Sequence, residues 1–328
     1  MGSVRRRHRP PARVEGDRLT PAVRRLRAGI ALALATLCAG AAASPAEAEP
    51  LRVVGSATLV PILEGWAREL AAETPPLAIR VESGGSSSAP HALLTGKADV
   101  ASMSRRMTDV EASAFRQHLG GEPLAVAVAT DAIAVFVHES NPVRGVTIPE
   151  LDRVFARSPG CSDEPAIRTW GGLGLGGARA DRAISRFGRS AGSGTRAVFE
   201  RIALCGAHSD PRVRQRPGPR SIALSVAESP YSIAYGSASD AVPGVRTLSV
   251  SVGTGEPYVE LGEQSVREGG YPLTRRLWLY TRPAERDPRW SQLVRLALSE
   301  PGQAIVESAG FWRVSERRRR EGLAAVAE

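Results

Sequence analysis

Residues 186–203 constrain this chain more than any other stretch. Arg186-Phe187-Gly188-Arg189-Ser190-Ala191-Gly192-Ser193-Gly194-Thr195 runs directly into Arg196-Ala197-Val198-Phe199-Glu200-Arg201-Ile202-Ala203. Arg182 to Phe187 reads as a short strand, and Thr195 to Leu204 as a helix with Val198, Phe199 and Ile202 on one face. A Gly/Ser turn between them, at the mouth of a helix, gathers free backbone N–H groups at the positive end of the helix dipole. That is a site for an anion. Ser193 and Thr195 add hydroxyl donors, and Gly192 and Gly194 let the backbone come close. Arg189 offers a planar fork of charged donors suited to a tetrahedral oxyanion. The same four residues, Gly-Ser-Gly-Thr, also make ordinary capped turns, so the segment needs support from elsewhere in the chain.

Two other phosphate-handling loops are excluded. A P-loop needs a lysine after its last glycine, and Lys97 is the only lysine present. A nucleophile elbow needs Gly-x-Ser-x-Gly, but Ala191 and Thr195 stand where the glycines belong. The segment is suited to holding an anion rather than cleaving one, and no catalytic residue is expected.

Charge first suggests nucleic acid, since the 328 residues carry a formal charge of +9. Its distribution argues otherwise. Residues 1–48 hold nine arginines against three acids, whereas the rest holds 34 basic and 31 acidic groups. The arginine-rich start, the apolar run Ala28 to Ala43 and the small-x-small sequence Ala46-Glu47-Ala48 read as an export signal over 1–48. The run is too short and alanine-rich for a clear membrane span, with an uncleaved anchor as the alternative. The expected location is therefore outside the cytoplasm, in a periplasm or at the cell surface. Cys161 and Cys205 remain after the leader. An oxidising compartment can join them across the anion turn, or they stand as two separate buried thiols. The five histidines show no ligand spacing with each other or with cysteine, so no metal and no cofactor is expected.

Further along, Leu51 to Gly55, Leu77 to Glu82 and Asp99 to Met103 read as strands. Each ends in a polar turn: Gly55-Ser56-Ala57-Thr58, Ser83-Gly84-Gly85-Ser86-Ser87-Ser88 and Ser104-Arg105-Arg106. In an open α/β sheet such turns gather at the carboxyl ends of the strands, where ligands bind. Leu124 to Ala129 and Ala132 to Val137 read as two more strands with Asp131 between them. Thr108 with Glu111, and Thr147 with Glu150, are capping boxes that open helices. The tail, with Arg317 to Arg320, reads as a solvated end.

Taken in order, these pieces resemble the periplasmic phosphate-binding proteins of ABC transporters over almost the whole chain after the leader. The resemblance rests on Gly55-Ser56-Ala57-Thr58 with Pro61 and Trp66, on Ser83-Gly84-Gly85-Ser86-Ser87, and on Gly96-Lys97-Ala98-Asp99-Val100-Ala101. Arg189 with Gly192-Ser193-Gly194-Thr195 and Phe199 is the most specific element. Pro230 to Tyr235, Tyr271-Pro272-Leu273 and Pro301-Gly302-Gln303 complete the order.

The resemblance implies an α/β, two-lobed periplasmic binding protein fold of the type II-like kind, hinged around an anion cleft. The first lobe would take residues 50–133 plus 240–328 and the second 134–239. Thr58, the backbone at Leu59, Ser86 and Ser104 would face the ligand from one lobe, and Arg189, Ser193, Gly194 and Thr195 from the other. The implied function is capture of inorganic phosphate by an exported monomer and its delivery to an inner-membrane ABC permease, with no nucleic-acid partner and no reaction. Two positions depart from the family pattern. Ser104 stands where many members carry an aspartate that takes the phosphate proton and repels sulfate, and Ala191 where an acid often lies near the arginine. A sensor or binding protein for another oxyanion (sulfate, arsenate or molybdate) on the same fold is therefore the alternative. With a neutral hydroxyl at 104, weak pH dependence of binding is expected between pH 6 and 8.

Overall fold

Strands form where the sequence alternates or runs apolar. The computed structural model describes residues 49–216, 218–283 and 287–327, so the expected export leader at 1–48 lies outside the described residues. In chain order the strands are β1 (Leu51–Gly55), β2 (Ile79–Glu82), β3 (Val100–Met103), β4 (Leu124–His138), β5 (Gly145–Thr147) and β6 (Ser185–Arg189). They continue as β7 (Arg214–Arg216), β8 (Ser232–Ser237), β9 (Val245–Thr247), β10 (Ser249–Ser251) and β11 (Thr274–Thr281). One sheet runs in the order β2-β1-β3-β11-β4-β8-β6-β7, with β9 also paired to β4, and β5 and β10 form a separate parallel pair.

The long strand β4 organises this sheet. Its first part pairs antiparallel with β11, from Leu124 opposite Thr281 to Ala132 opposite Thr274. Its second part, Ile133 to Val137, pairs antiparallel with β8. The two apolar runs expected around Asp131 are thus one strand of 15 residues. Aspartate is a poor strand residue. Here its carboxylate accepts the Ala132 N–H at 2.8 Å and two hydrogen bonds from Arg275, which satisfies it inside the sheet.

The two largest apolar cores lie along β4, and the molecule is two-lobed around them. One contains Val53, Trp66, Val126, Val128, Leu277, Leu293 and Leu298. The other contains Val135, Val137, Phe155, Trp170, Phe199 and Tyr235. Leu248, Val250, Val266, Tyr271 and Leu273 also pack into that second core.

Helices follow the signals their sequences carry. Thr108 and Thr147 each close a capping box, on helices Asp109–Leu119 and Ile148–Phe155. The helix Val60–Ala72 takes Pro61 in its first turn, where a missing N–H costs nothing, and buries Ile62, Leu63, Trp66 and Leu70. Trp66 Nε1–H donates to the Gly302 carbonyl at 3.0 Å, tying this helix to Glu300–Ser308. Only glycine fits at 302, because a Cβ there would lie 1.8 Å from the Leu296 carbonyl oxygen. Gln303 Nε2 donates to the carbonyls of Val128 and Ala297, and its Oε1 accepts from Val314 N–H. The tail is not merely a solvated end. It forms the helix Glu316–Ala324, whose Gly322 is buried against Leu298 and Val126. Cys161 and Cys205 are joined, with an S–S length of 1.98 Å and Cα atoms 5.4 Å apart.

Candidate functional site

The arginine of the motif sits at the end of a strand. β6 runs through Arg189, two residues beyond the expected limit, and pairs in parallel with both β7 and β8. A strand position fixes its backbone on both sides, so the side chain starts from a rigid base. Arg189 is only 5% exposed, and neither Nε nor Nη1 has a hydrogen-bond partner. Leaving charged donors unmet in a buried place is costly, so these two donors make Arg189 a candidate anion ligand.

Five residues later the helix Gly194–Ala203 begins. Ser193 is its N-cap, and its Oγ accepts the Thr195 N–H at 3.2 Å, which leaves its own hydroxyl proton to donate. The helix is held by its rings: Phe199 stacks on Tyr235 at 3.8 Å, and Phe155 meets both edge-on. Burial pushes the Tyr235 hydroxyl up to about 12, so it stays neutral.

The turns after β1, β2 and β3 meet this helix N-terminus. Thr58 Oγ1 lies 3.4 Å from Thr195 Oγ1. Ser86 Oγ accepts the Ser104 N–H at 3.0 Å and lies 3.2 Å from Ser104 Oγ. A Cβ on Gly194 would fall 2.4 Å from Ser86 Oγ and 2.5 Å from Ser104 Oγ. Ser87 N–H donates to the Gly192 carbonyl at 3.2 Å, so the turn after β2 and the motif loop are in direct contact. The structure therefore brings Thr58, Ser86, Ser104, Ser193, Gly194 and Thr195 together, and Arg189 ends the strand that leads into this turn. Leu59 is buried beside Thr58 in the turn Ala57–Leu59, where its N–H donates to the Ser56 carbonyl at 3.2 Å. The cysteine pair joins the segment before β6 to the residues just after the helix, so it flanks the anion turn in sequence.

Sequence reasoning missed the charged groups behind these turns. Asp131 has no exposure and Arg275 almost none. Arg275 Nε and Nη2 both donate to Asp131 Oδ2, at 2.8 and 2.6 Å, and Nη1 reaches the Ser104 carbonyl at 3.4 Å. Ser237 Oγ–H donates to Asp131 Oδ1 at 2.7 Å, and Ser237 N–H to Asp240 Oδ2 at 3.1 Å. The one visible signal was an aspartate interrupting an apolar run; nothing in the sequence tied it to Arg275 or Asp240. Burial pushes the Arg189 guanidinium below its ordinary value; the Asp240 carboxyl opposes this and Arg275 adds to it. Burial first, then the Asp131 charge, push the Asp240 carboxyl up to about 7, against the pull of Arg189. Among the described residues no group of three or more His, Cys, Asp or Glu is placed to hold a metal ion.

Two lobes sharing one strand, with hydroxyl turns from one lobe closed on a helix N-terminus of the other, define a solute-binding protein. The PBP superfamily domain matches residues 40–298, and the chain belongs to that family. The phosphate-binding protein PstS of Pseudomonas aeruginosa is 39% identical over 264 residues, which cover 80% of this chain and 82% of that protein. A putative phosphate ABC transporter substrate-binding protein from Clostridium perfringens, solved with bound phosphate, aligns with a TM-score of 0.69 at 24% identity. That alignment covers 81% of this chain and 100% of the other. A possible phosphate binding protein from Planctomyces limnophilus gives a TM-score of 0.62 at 22% identity, over 85% of this chain and 98% of its own. Both solved structures share the fold.

Proposed function

We propose that this protein captures inorganic phosphate between its lobes outside the cytoplasm and hands it to an ABC permease. The observation that carries the reading is Arg189, buried with Nε and Nη1 unpartnered at the end of β6. A helix N-terminus and the hydroxyls of Thr58, Ser86, Ser104, Ser193 and Thr195 converge a few residues from it. The relative from Pseudomonas aeruginosa, named as a phosphate-binding protein, supports the choice of ligand. Thr58, Leu59, Ser86 and Ser104 form one wall of this site, and Arg189, Ser193, Gly194 and Thr195 the other. Binding needs no chemistry: charged and neutral donors in a dry cleft supply the affinity. Export by the leader at 1–48 fits the disulfide, which persists in oxidising compartments. No helix among the described residues is long and apolar enough to cross a membrane. The apolar packing favours lobes of about 50–131 plus 274–327 and about 132–273.

A reading as receptor for another oxyanion draws on Ser104, whose hydroxyl can donate or accept and so tolerates anions with or without a proton. Calorimetric titration of the mature protein with phosphate, sulfate, arsenate and molybdate separates the two. Arg189→Ala is the direct test of the site. Removing a desolvated charged donor costs about 2–5 kcal/mol, so phosphate affinity should fall about 30-fold or more with the fold intact. Undiminished affinity in that variant refutes the assignment.

A further inference from the structure

Asp240 has no place in the site read from the sequence, yet the sheet brings it to the binding arginine. β6 pairs with β8 through Phe187 opposite Ala234. Continued two residues along both strands, that register sets Arg189 level with Gly236 and on the same face, and a Cβ on the intervening Gly188 would fall 2.8 Å from the Tyr235 ring, as such a continuation requires. That face carries Phe187, Ala234 and Phe136 in one apolar cluster. Asp240 Oδ2 lies over it, 3.6 Å from where a Cβ on Gly236 would stand, and Phe136 lies 3.2 Å from the same point. Because residue 236 is glycine, the space between the two strands at this level is open to the carboxyl. Ser237 N–H fixes Oδ2 at 3.1 Å.

We propose that Asp240 is the counter-charge of Arg189 and sets which charge state of the anion the site accepts. This rests on the phosphate reading above and deepens it. The charged groups facing Asp240 are Asp131 from β4, Arg189 from β6 and Arg275 from β11. Asp131 and Arg275 are committed to each other by two short hydrogen bonds. Arg189 forms no ion pair with any described carboxylate, so Asp240 and the ligand compete for its charge. A protonated Asp240 leaves the site with the full positive charge of Arg189. An ionised Asp240 cancels that charge and repels the anion. Ligand entry therefore favours the protonated carboxyl, and at pH values where Asp240 is ionised a dianion enters together with one proton taken from the buffer. The carboxyl titrates at about 7, inside the range where this exchange matters. The weak pH dependence expected from a neutral Ser104 is thus replaced by one set at a different residue.

The test titrates inorganic phosphate and sulfate into wild type and Asp240→Asn at pH 5.5, 7 and 8.5, in buffers of differing ionisation enthalpy. Asparagine keeps the shape and can still accept the Ser237 N–H, but it cannot ionise. Comparing the proteins at each pH cancels the titration of phosphate itself. The variant should match wild type at pH 5.5 and bind about tenfold tighter at pH 8.5, the factor that one unit of ligand-induced pKa displacement represents. Wild type should also take up more protons on binding than the variant at pH 7 and above, a readout that a purely structural role leaves unmoved. Parallel profiles with equal proton uptake overturn this inference and leave the phosphate reading standing. Absence of phosphate binding by wild type at every pH overturns both.

Discussion

Gly194 packs tightly against the turns after β2 and β3, and a single methyl group there tests whether the closed cleft is the binding state. An alanine Cβ at 194 would lie 2.4 Å from Ser86 Oγ, 2.5 Å from Ser104 Oγ and 2.9 Å from Ser86 Cβ. Ordinary contact begins near about 3.5 Å, so each hydroxyl is overlapped by about 1 Å. Neither hydroxyl is free to swing aside. Ser86 Oγ holds the Ser104 N–H and pairs with Ser104 Oγ, and both residues have no exposure. The methyl must break that pair or hold the lobes apart. Overpacking of this kind costs about 1–3 kcal/mol, or about 5- to 150-fold in affinity. The free, open protein does not carry that cost. Gly194 does not adopt a positive φ and opens a helix, where alanine is preferred by up to about 1 kcal/mol. Gly194→Ala should therefore weaken phosphate binding about 5- to 150-fold by calorimetry while the melting temperature without ligand stays level or rises. Affinity within twofold of wild type would refute the argument, because the contact between Gly194 and the two serines could not then belong to the liganded state.

Three further outcomes follow from individual groups. Replacing Cys161 and Cys205 by serine opens a loop spanning 44 residues, which on the chain-entropy model removes about 4 kcal/mol of stability. The variant should melt well below wild type yet bind phosphate with unchanged affinity, and a matching loss of affinity would place the bridge in the site. Ser104→Asp sets a buried carboxylate beside Ser86 Oγ, where it accepts a phosphate proton and repels sulfate. Competition calorimetry should show sulfate losing at least tenfold more affinity than phosphate, and equal losses would mean that residue 104 does not read the ligand proton. Asp240→Asn should raise the melting temperature at pH 8 and leave it unchanged near pH 4. The folded-state pKa of about 7 lies above the unfolded value, so the native state loses stability as pH rises from about 4 to 7 and the asparagine does not. Equal melting shifts at both pH values would remove Asp240 from the titrating groups.

What could be read from the sequence was whatever local chemistry encodes. A capping threonine three residues before a glutamate, a proline in a first helical turn, and a glycine-serine turn ahead of a helix all act within a few residues, so Thr108, Thr147, Pro61 and Ser193 behave as their neighbours dictate. The hydroxyl turns at Thr58, Ser86 and Ser104 were readable for a related reason: parallel strands deliver their carboxyl ends to one edge. Arg189 was readable as a charged donor just ahead of the helix, but its place on the strand was not. Two neighbouring strands, β7 and β8, extend β6 beyond the point where its own side chains stop looking like a strand.

The charged pair behind the site shows why the remainder was hidden. Asp131 and Arg275 are 144 residues apart and face each other only because β4 and β11 share a register that places them in one row of the sheet. Replacing a buried ion pair by apolar residues is often neutral or stabilising, so bulk stability does not explain a pair here. Its connections do. Asp131 is the last residue but one of β4 before its partner changes from β11 to β8. Through Arg275 it reaches the carbonyl of Ser104 in one lobe, and through Ser237 it reaches the end of β8, where the Ser237 N–H holds the Asp240 carboxyl. The same carboxylate thus fixes the hinge strand and orients a turn from each side of the cleft. It also raises the proton affinity of Asp240, so one buried carboxylate both joins the two strands and sets the protonation of its neighbour.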